Sequence, residues 1–508
     1  MKHPTGNRWN PNRRNAVRYR TPVPYNPSAR ARVSLGMTRL YTTTARRTRR
    51  VLVPVLAVSA LLTLGTAGPA AADSDQLWTY SDPYELILPG AYEDGSAPER
   101  TVTLHVTHDN IANPVGAGRL NVDATELAAL AKITWPANCT PDTAATAVCD
   151  VPPLTGTDRV TAAELKVSAL PDTPDGAVGT LRYTAVAGDL TSYPGETRVT
   201  VGNGPDLALS QSPRQEGVTP GSLISAPATL TNNGNRTAEG VLLHLFASRG
   251  LAYTERPANC EYLDTEVGTQ ALCVLDEALA PGDSIALANP LKARRNALYE
   301  RFDYSVEPYS AEALEAARAG RTYTPGTGAE LETAPATAPR TATTTAPVPD
   351  LDPQDNARTV IIHATNTADL KLIGSRVEGA VGETVRADIT VKNRGPAWVA
   401  SLGAGEPVAT VDVRIPSGTT VTARPDTCYA LTADGEWVEE QLGAPRYRCH
   451  TPIYLNERAT HTFPFDLRID SAARSTAPVA IDNNQYEPPI RAYDPDLTNN
   501  ASRIVVNG

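Results

Sequence analysis

The sequence predicts an all-β chain: three antiparallel β-sandwich modules in series, each closed by one hairpin disulfide, behind a cleaved export signal. Three observations predict it. First, a Pro-x-x-Cys stretch occurs at Trp135-Pro136-Ala137-Asn138-Cys139, Arg256-Pro257-Ala258-Asn259-Cys260 and Arg424-Pro425-Asp426-Thr427-Cys428. Each is followed by one further cysteine, Cys149, Cys273 and Cys449, and these make up the six in the chain. Second, short runs alternate apolar and polar residues between turn signals, as half-buried strands do. Third, 508 residues are too many for one core and suggest about three domains.

Residues 1–72 read as a basic extension and signal peptide. Arg46-Arg47-Thr48-Arg49-Arg50 precedes the apolar run Val51 to Ala67, and Ala70-Ala71-Ala72 supplies a small-residue cleavage site before Asp73. The run is interrupted by Pro54 and is shorter than the roughly 20 residues of a spanning helix. No integral membrane span is therefore expected in the mature chain. Thr48-Arg49-Arg50-Val51-Leu52 resembles a twin-arginine signal, but a disulfide protein is usually exported unfolded. Met37 is an alternative start. With 13 of the 46 basic residues and none of the 56 acidic ones in residues 1–72, the rest carries 33 against 56, a formal charge of −23. Such a surface repels nucleic acid and anionic lipid. An even cysteine count behind an export signal implies disulfides. The repeat favours Cys139–Cys149, Cys260–Cys273 and Cys428–Cys449; separations of 10, 13 and 21 do not fit zinc ligation.

Module 1 spans 73–204. In Thr101 to Thr107, Val102, Leu104 and Val106 share one face, and Glu196 to Val201 closes the unit. Module 2 spans 205–365 and module 3 spans 366–508. Gly221 to Gly234 aligns without gaps to Gly382 to Gly395. The inward set is Ile224, Ala226, Ala228 and Leu230 in one, and Val385, Ala387, Ile389 and Val391 in the other. Both stretches end in Asn-x-Gly, a turn signal. Pro227 places its strand at an edge or bulge. Ala311 to Arg318 has helix propensity and a Thr/Ala/Pro tract follows, so 310–350 reads as a loop insertion or a flexible linker. Asp352-Pro353 with Asn356, and Asp494-Pro495 with Asn499-Asn500, read as equivalent turns feeding closing strands at Thr359 to Ile362 and Ile504 to Val506. Val411, Val413 and Ile415, then Phe463, Phe465, Leu467 and Ile469, alternate as core positions.

Gly382-Glu-Thr-Val, Val391-Lys-Asn-Arg-Gly-Pro396, Ile415-Pro-Ser-Gly-Thr-Thr-Val421, the Cys428–Cys449 hairpin and Asp494-Pro-x-x-x-Asn-Asn500 give module 3 a resemblance. It resembles the Ig-like "conserved repeat" domains of bacterial surface proteins, the eleventh of the numbered families of unknown function. Module 2 matches at both ends, and module 1 mainly in its cysteine hairpin. The resemblance implies Ig-like sandwiches in a secreted or wall-associated chain and implies no activity; a shared fold would not supply one.

Catalytic motifs are absent: no Gly-x-Ser-x-Gly, no His-Glu-x-x-His and no phosphate-binding Gly-rich loop. No cofactor is expected. His105 and His108, three apart on a strand, should point to opposite faces as surface or turn residues. Calcium ligands are conceivable at Asp352, Asp355 and Asn356 and at Asp494, Asp496 and Asn499, though Asp-Pro and Asn-Asn also serve as turn chemistry. Sugar-stacking candidates are Trp78, Trp135, Trp398 and Trp437, with Trp398 and Trp437 the readiest to face solvent and packing the competing role. With five lysines after residue 72 and Lys392 directed outward, isopeptide crosslinking is not expected. The expected role is a non-catalytic structural, adhesive or interaction protein, secreted or at the cell surface, whose partner is a cell-wall component or an extracellular protein. The alternative is a carbohydrate-binding or accessory module at the wall. No sortase-type signal or final hydrophobic helix follows Val506, so attachment is expected to be non-covalent or absent.

Overall fold

The computed structural model describes residues 75–110, 113–155, 159–331, 334–335, 349–482 and 490–508. The export signal read at 1–72 lies outside them. In module 1, Leu77–Asp82, Arg100–His108, Val160–Ala169 and Ala131–Thr134 lie side by side in one sheet. The facing sheet runs Glu85–Pro89, Gly195–Gly202, Val178–Ala187, Gly118–Asp123, Thr146–Val151, Cys139–Pro141. Glu85–Pro89 pairs in parallel with Gly195–Gly202, and the other neighbours are antiparallel.

Module 2 repeats the plan. One sheet is Leu207–Leu209, Leu223–Asn232, Ser284–Ala293 and Leu251–Tyr253; the other is Gln215–Val218, Ala357–Ala364, Tyr299–Pro308, Val241–Ser248, Gly268–Leu275 and Cys260–Asp264. Module 3 does so again, with Leu370–Ile373, Thr384–Asn393, Thr460–Ile469 and Thr419–Ala423 facing Ser375–Val377, Ala501–Val506, Ser475–Asp482, Thr410–Arg414, Arg446–His450 and Cys428–Leu431. Two sheets and one core recur three times: the fold is three tandem Ig-like antiparallel sandwiches. The alternating residues fill the space between sheets: Val102, Leu104 and Val106 in the first core, Ala226 and Leu230 in the second, Ile389, Val391 and Phe463 to Ile469 in the third.

The Pro-x-x-Cys repeat has a structural cause. In each module the cysteine N–H donates to the proline carbonyl three residues back: Cys139 to Pro136 at 3.0 Å, Cys260 to Pro257 at 3.1 Å, Cys428 to Pro425 at 3.0 Å. This β-turn delivers the chain into a hairpin whose two cysteines face each other in register. The disulfides are Cys139–Cys149, Cys260–Cys273 and Cys428–Cys449.

Asn-x-Gly is an Asx-turn rather than a two-residue hairpin. Asn232 Oδ1 accepts from Gly234 N at 3.0 Å, and Asn393 Oδ1 from Gly395 N at 3.0 Å. Both asparagines are fully buried, with Nδ2 bound to backbone carbonyls. Glycine is required because a Cβ at 234 would lie 2.3 Å from the Gly204 carbonyl oxygen, and one at 395 would lie 2.5 Å from Ala368 Cα.

Pro227 corrects an expectation. Its strand, Leu223–Asn232, has neighbours on both sides and is not an edge strand. Leu207–Leu209 pairs only with residues 230–232, however, so the flank beside Pro227 is open. The Pro227 carbonyl faces that flank, where Ser212 Oγ donates to it at 2.6 Å. The ring nitrogen points the same way, so no ladder bond is lost.

In the 310–350 stretch, Ala311–Arg318 is an α-helix capped by Ser310, whose Oγ accepts from Ala313 N at 3.0 Å. Ala319 ends it in the left-handed conformation. Thr324–Pro325 then adds a strand to the edge at Cys260–Asp264, and Ala334–Pro335 pairs with Ser284–Ala293 in the facing sheet. Ala357–Ala364 returns to pair with Tyr299–Pro308, so these elements clasp module 2 from outside. Residues 336–348 of the tract lie outside the described residues.

Candidate functional site

The most elaborate polar site lies between modules 2 and 3. Glu300 alternates with Phe302, Tyr304 and Val306 on the inward face of Tyr299–Pro308, which buries its carboxylate. Four donors meet it. Oε2 accepts from Ser248 Oγ at 2.5 Å and Gly250 N at 2.9 Å; Oε1 accepts from Leu298 N at 2.9 Å and Trp398 Nε1 at 2.7 Å. Burial pushes the Glu300 carboxyl above its usual range, and the four hydrogen bonds oppose that shift. Gly250 must be glycine here, since a Cβ would meet Glu300 Oε1 at 2.1 Å.

Trp398 belongs to module 3 and is 1% exposed. The expectation that it faces solvent as a sugar platform is therefore corrected: its indole is an anchor driven into the preceding module. The seam extends around it. Trp398 N donates to Asn296 O at 3.2 Å, and Arg249 and Asn296 donate to Glu457 at 3.2–3.4 Å. Tyr454 donates to Glu266, and Arg301 donates to the Leu402 carbonyl at 3.3 Å. Leu298 packs within the third core.

Between modules 1 and 2, Arg100 of the first sandwich pairs with Asp206 and donates to Asn233 O at 2.9 Å. Asp206 is 1% exposed. The acidic turn beside it needs another correction. Asp350, not Asp352, holds the place of Asp494. Asp350 accepts from Leu207 N at 2.7 Å and Asp352 N at 3.0 Å; Asp494 accepts from Leu370 N at 3.2 Å and Asp496 N at 3.0 Å. The shared turn is Asp-x-Asp-x-x-(Asp/Asn)-Asn, with Pro353 and Pro495 at different positions in it.

The oxygens of Asp352 and Asp496 likewise accept from turn donors, Gln354 N at 3.0 Å and Thr498 N at 3.2 Å. Asn499 Nδ2 bridges Asp369 and Asp496 at 2.9 and 3.0 Å. Among the described residues, no three or more His, Cys, Asp or Glu side chains are grouped to enclose a metal ion. In module 2 the acids crowd each other. Burial, then the charges of Asp206, Asp352 and Asp350, pushes Asp355 up to about 8. Burial also pushes Asp350 up to about 7. Asn356 is buried beside them, and Asp355 is half-buried.

The histidine expectation also needs correction. His105 and His108 are both buried. His105 lies against Tyr80, with ring centroids 5.5 Å apart, while His108 approaches Asp75 at 4.0 Å. Trp135 is half-buried against the first core, and its Nε1 donates to Ala144 O at 3.4 Å. Two of the four candidate tryptophans stay open. Trp437 is 64% exposed in the Cys428–Cys449 loop, and Trp78 is 43% exposed beside Tyr193.

Glu300, Arg100 and Asp350 escaped sequence reading. The Glu300 signal was present: a carboxylate on the apolar face of an alternating strand demands a buried partner set. Arg100 carried no such mark.

These features define a class: tandem Ig-like sandwiches joined through buried polar contacts. No family model matches the chain, and no curated protein matches it. Among solved structures, the Escherichia coli adhesin FdeC is similar at 13% identity and TM-score 0.16, covering 87% of this chain and 100% of that one. A putative membrane-anchored protein from Corynebacterium diphtheriae is similar at 11% identity and TM-score 0.16, covering 85% and 95%. Dpr2 Ig1-Ig2 in complex with DIP-Theta is similar at 7% identity and TM-score 0.20, covering 84% and 98%. Likeness at this level carries no argument about function; the fold assignment stands on the sheets themselves. Among the described residues, no helix is long and apolar enough to cross a membrane.

Proposed function

We propose that this is an exported, non-catalytic structural or adhesive protein of the bacterial cell surface, built to hold loops at fixed spacing and present them to a cell-wall component or extracellular protein. The observation that carries the reading is the Glu300–Trp398 seam: a buried carboxylate with four donors, one contributed by the next module, is a device for fixing module orientation. The disulfide in each hairpin supports it, since such bonds persist in oxidising compartments and resist unfolding there. Residues 1–72 would direct export, and the resemblance of module 3 to surface-protein repeats points the same way. In this reading the modules divide at about 204 and 365.

Carbohydrate binding is the second reading, favoured by the exposed Trp437 and the Trp78–Tyr193 pair. The test is sedimentation of the purified protein with isolated cell walls, with added calcium and with chelator. Saturable pelleting supports wall attachment, and its loss on Trp437→Ala favours the sugar reading. Loss with chelator would assign the Asp-x-Asp turns a metal-dependent role. Absence of pelleting under every condition sinks the wall partner and redirects the search to soluble extracellular proteins.

A further inference from the structure

A cavity of about 250 Å³ opens in module 2 beside its seam with module 3. Three arginines, Arg249, Arg256 and Arg294, line it, with Asp264 as its one acidic residue and Thr265 and Thr269 among the rest. In a chain whose residues after 72 carry a formal −23, a concave surface lined this way reverses the general sign.

Two of the arginines are held in place. Arg256 Nη2 donates to both Asp264 oxygens, at 3.0 and 3.1 Å, and its guanidinium lies 4.8 Å from the Tyr262 ring centroid. Arg249 reaches Glu457 of module 3 through Nε and Nη2, at 3.4 and 3.2 Å. Asp264 is committed as well: Thr269 Oγ1 donates to it at 2.6 Å, and that bond, with Arg256 and Arg294, holds its carboxyl below the usual range. Arg294 differs. It is exposed, and among the described residues its side chain makes no hydrogen bond or ion pair. Each guanidinium carries five N–H donors, so the held arginines also keep donors to spare.

We infer that this cavity is an anion-binding site that takes a single oxyanion group, carboxylate or phosphate, from an extracellular ligand. Guanidinium groups match both oxyanions with paired, charge-assisted hydrogen bonds. The volume lies below the roughly 300–1,000 Å³ usual for a whole small ligand, so the site fits the charged group and its nearest atoms. This deepens the adhesive reading by naming the chemistry of the partner, and it rests on that reading for the source of the ligand.

Isothermal titration of the purified protein with inorganic phosphate, with glucuronate and with neutral glucose is the test. Saturable, salt-sensitive binding of either anion is expected, with none for glucose. Phosphate alone assigns a phosphate-bearing polymer, and glucuronate assigns an acidic glycan. Arg294→Gln should weaken binding by about tenfold, one charge-assisted hydrogen bond, with no change in the thermal midpoint. Trp437→Ala should leave it unchanged. No anion binding at millimolar concentration, or binding that Arg294→Gln leaves intact, overturns the site. If anions bind but the protein does not pellet with walls, the wall partner falls and the anion site stands.

Discussion

Asp350 and Asp355 show how single residues set the chemistry of a junction. A carboxyl raised above its unfolded value of about 4 binds a proton in the folded chain that the unfolded chain releases. Between that value and the folded values of about 7 and about 8, the folded state holds more protons, so stability falls as pH rises. The raised Glu300 adds to the same slope. The protein should therefore melt at a higher temperature near pH 5 than near pH 8.5, as thermal denaturation across that range will show. Asp355→Asn should flatten the slope; an unchanged slope would remove Asp355 as one of its causes. Much of this chemistry escaped sequence reading because burial, not residue type, creates it. Asp355 and Asn356 stood out as oxygen-rich, yet which aspartate bonds the turn depended on backbone contacts with Leu207 that no local motif encodes.

The cysteine hairpins were the most legible elements, because one turn geometry leaves one sequence mark. The residue before each first cysteine accepts from the residue after its partner, Asp150 N to Asn138 O at 2.9 Å, Val274 N to Asn259 O at 3.0 Å and His450 N to Thr427 O at 2.9 Å. The hairpins also end one sheet in each module, and an unprotected edge invites pairing with another chain. Each module guards this edge differently. Module 1 has a three-residue edge strand ending in Pro141. Module 3 folds its own disulfide loop back, with Trp437 bridging to Leu431. Module 2 uses Thr324–Pro325 from the inserted stretch, and Arg318 of the short helix binds Glu261 through two bonds of 2.7 Å. Composition suggested a loop or a linker for this stretch; it could not suggest a strand, because two residues with a proline carry no strand signal. Deleting 311–335 should expose Cys260–Asp264 and cause concentration-dependent self-association in analytical ultracentrifugation. A variant that stays monomeric would show that the edge needs no cover.

The whole molecule is more than its modules. Alternation and turn signals foretold the sandwiches, because each core is a local consequence of inward apolar positions. The seams were not foretold, since they join residues far apart in sequence, such as Arg100 with Asp206 and Glu300 with Trp398. A Trp after a turn is as consistent with a solvent-facing ring as with an anchor until the neighbouring module is placed. Independent domains joined by small polar interfaces move by default. Here Leu298 packing, the buried Trp398–Glu300 hydrogen bond and the more exposed bonds of Glu457 and Tyr454 together tie modules 2 and 3. Truncating Trp398 would leave a buried carboxylate short of a donor, a cost of about 1–3 kcal/mol before lost packing is counted. Small-angle X-ray scattering of the purified protein and its Trp398→Ala variant measures the consequence directly. The native protein should scatter as a body with modules 2 and 3 in fixed relation, and the variant should show a larger radius of gyration and an ensemble of inter-module angles. Indistinguishable curves, or a native protein that already scatters as freely jointed beads, would contradict a docked scaffold.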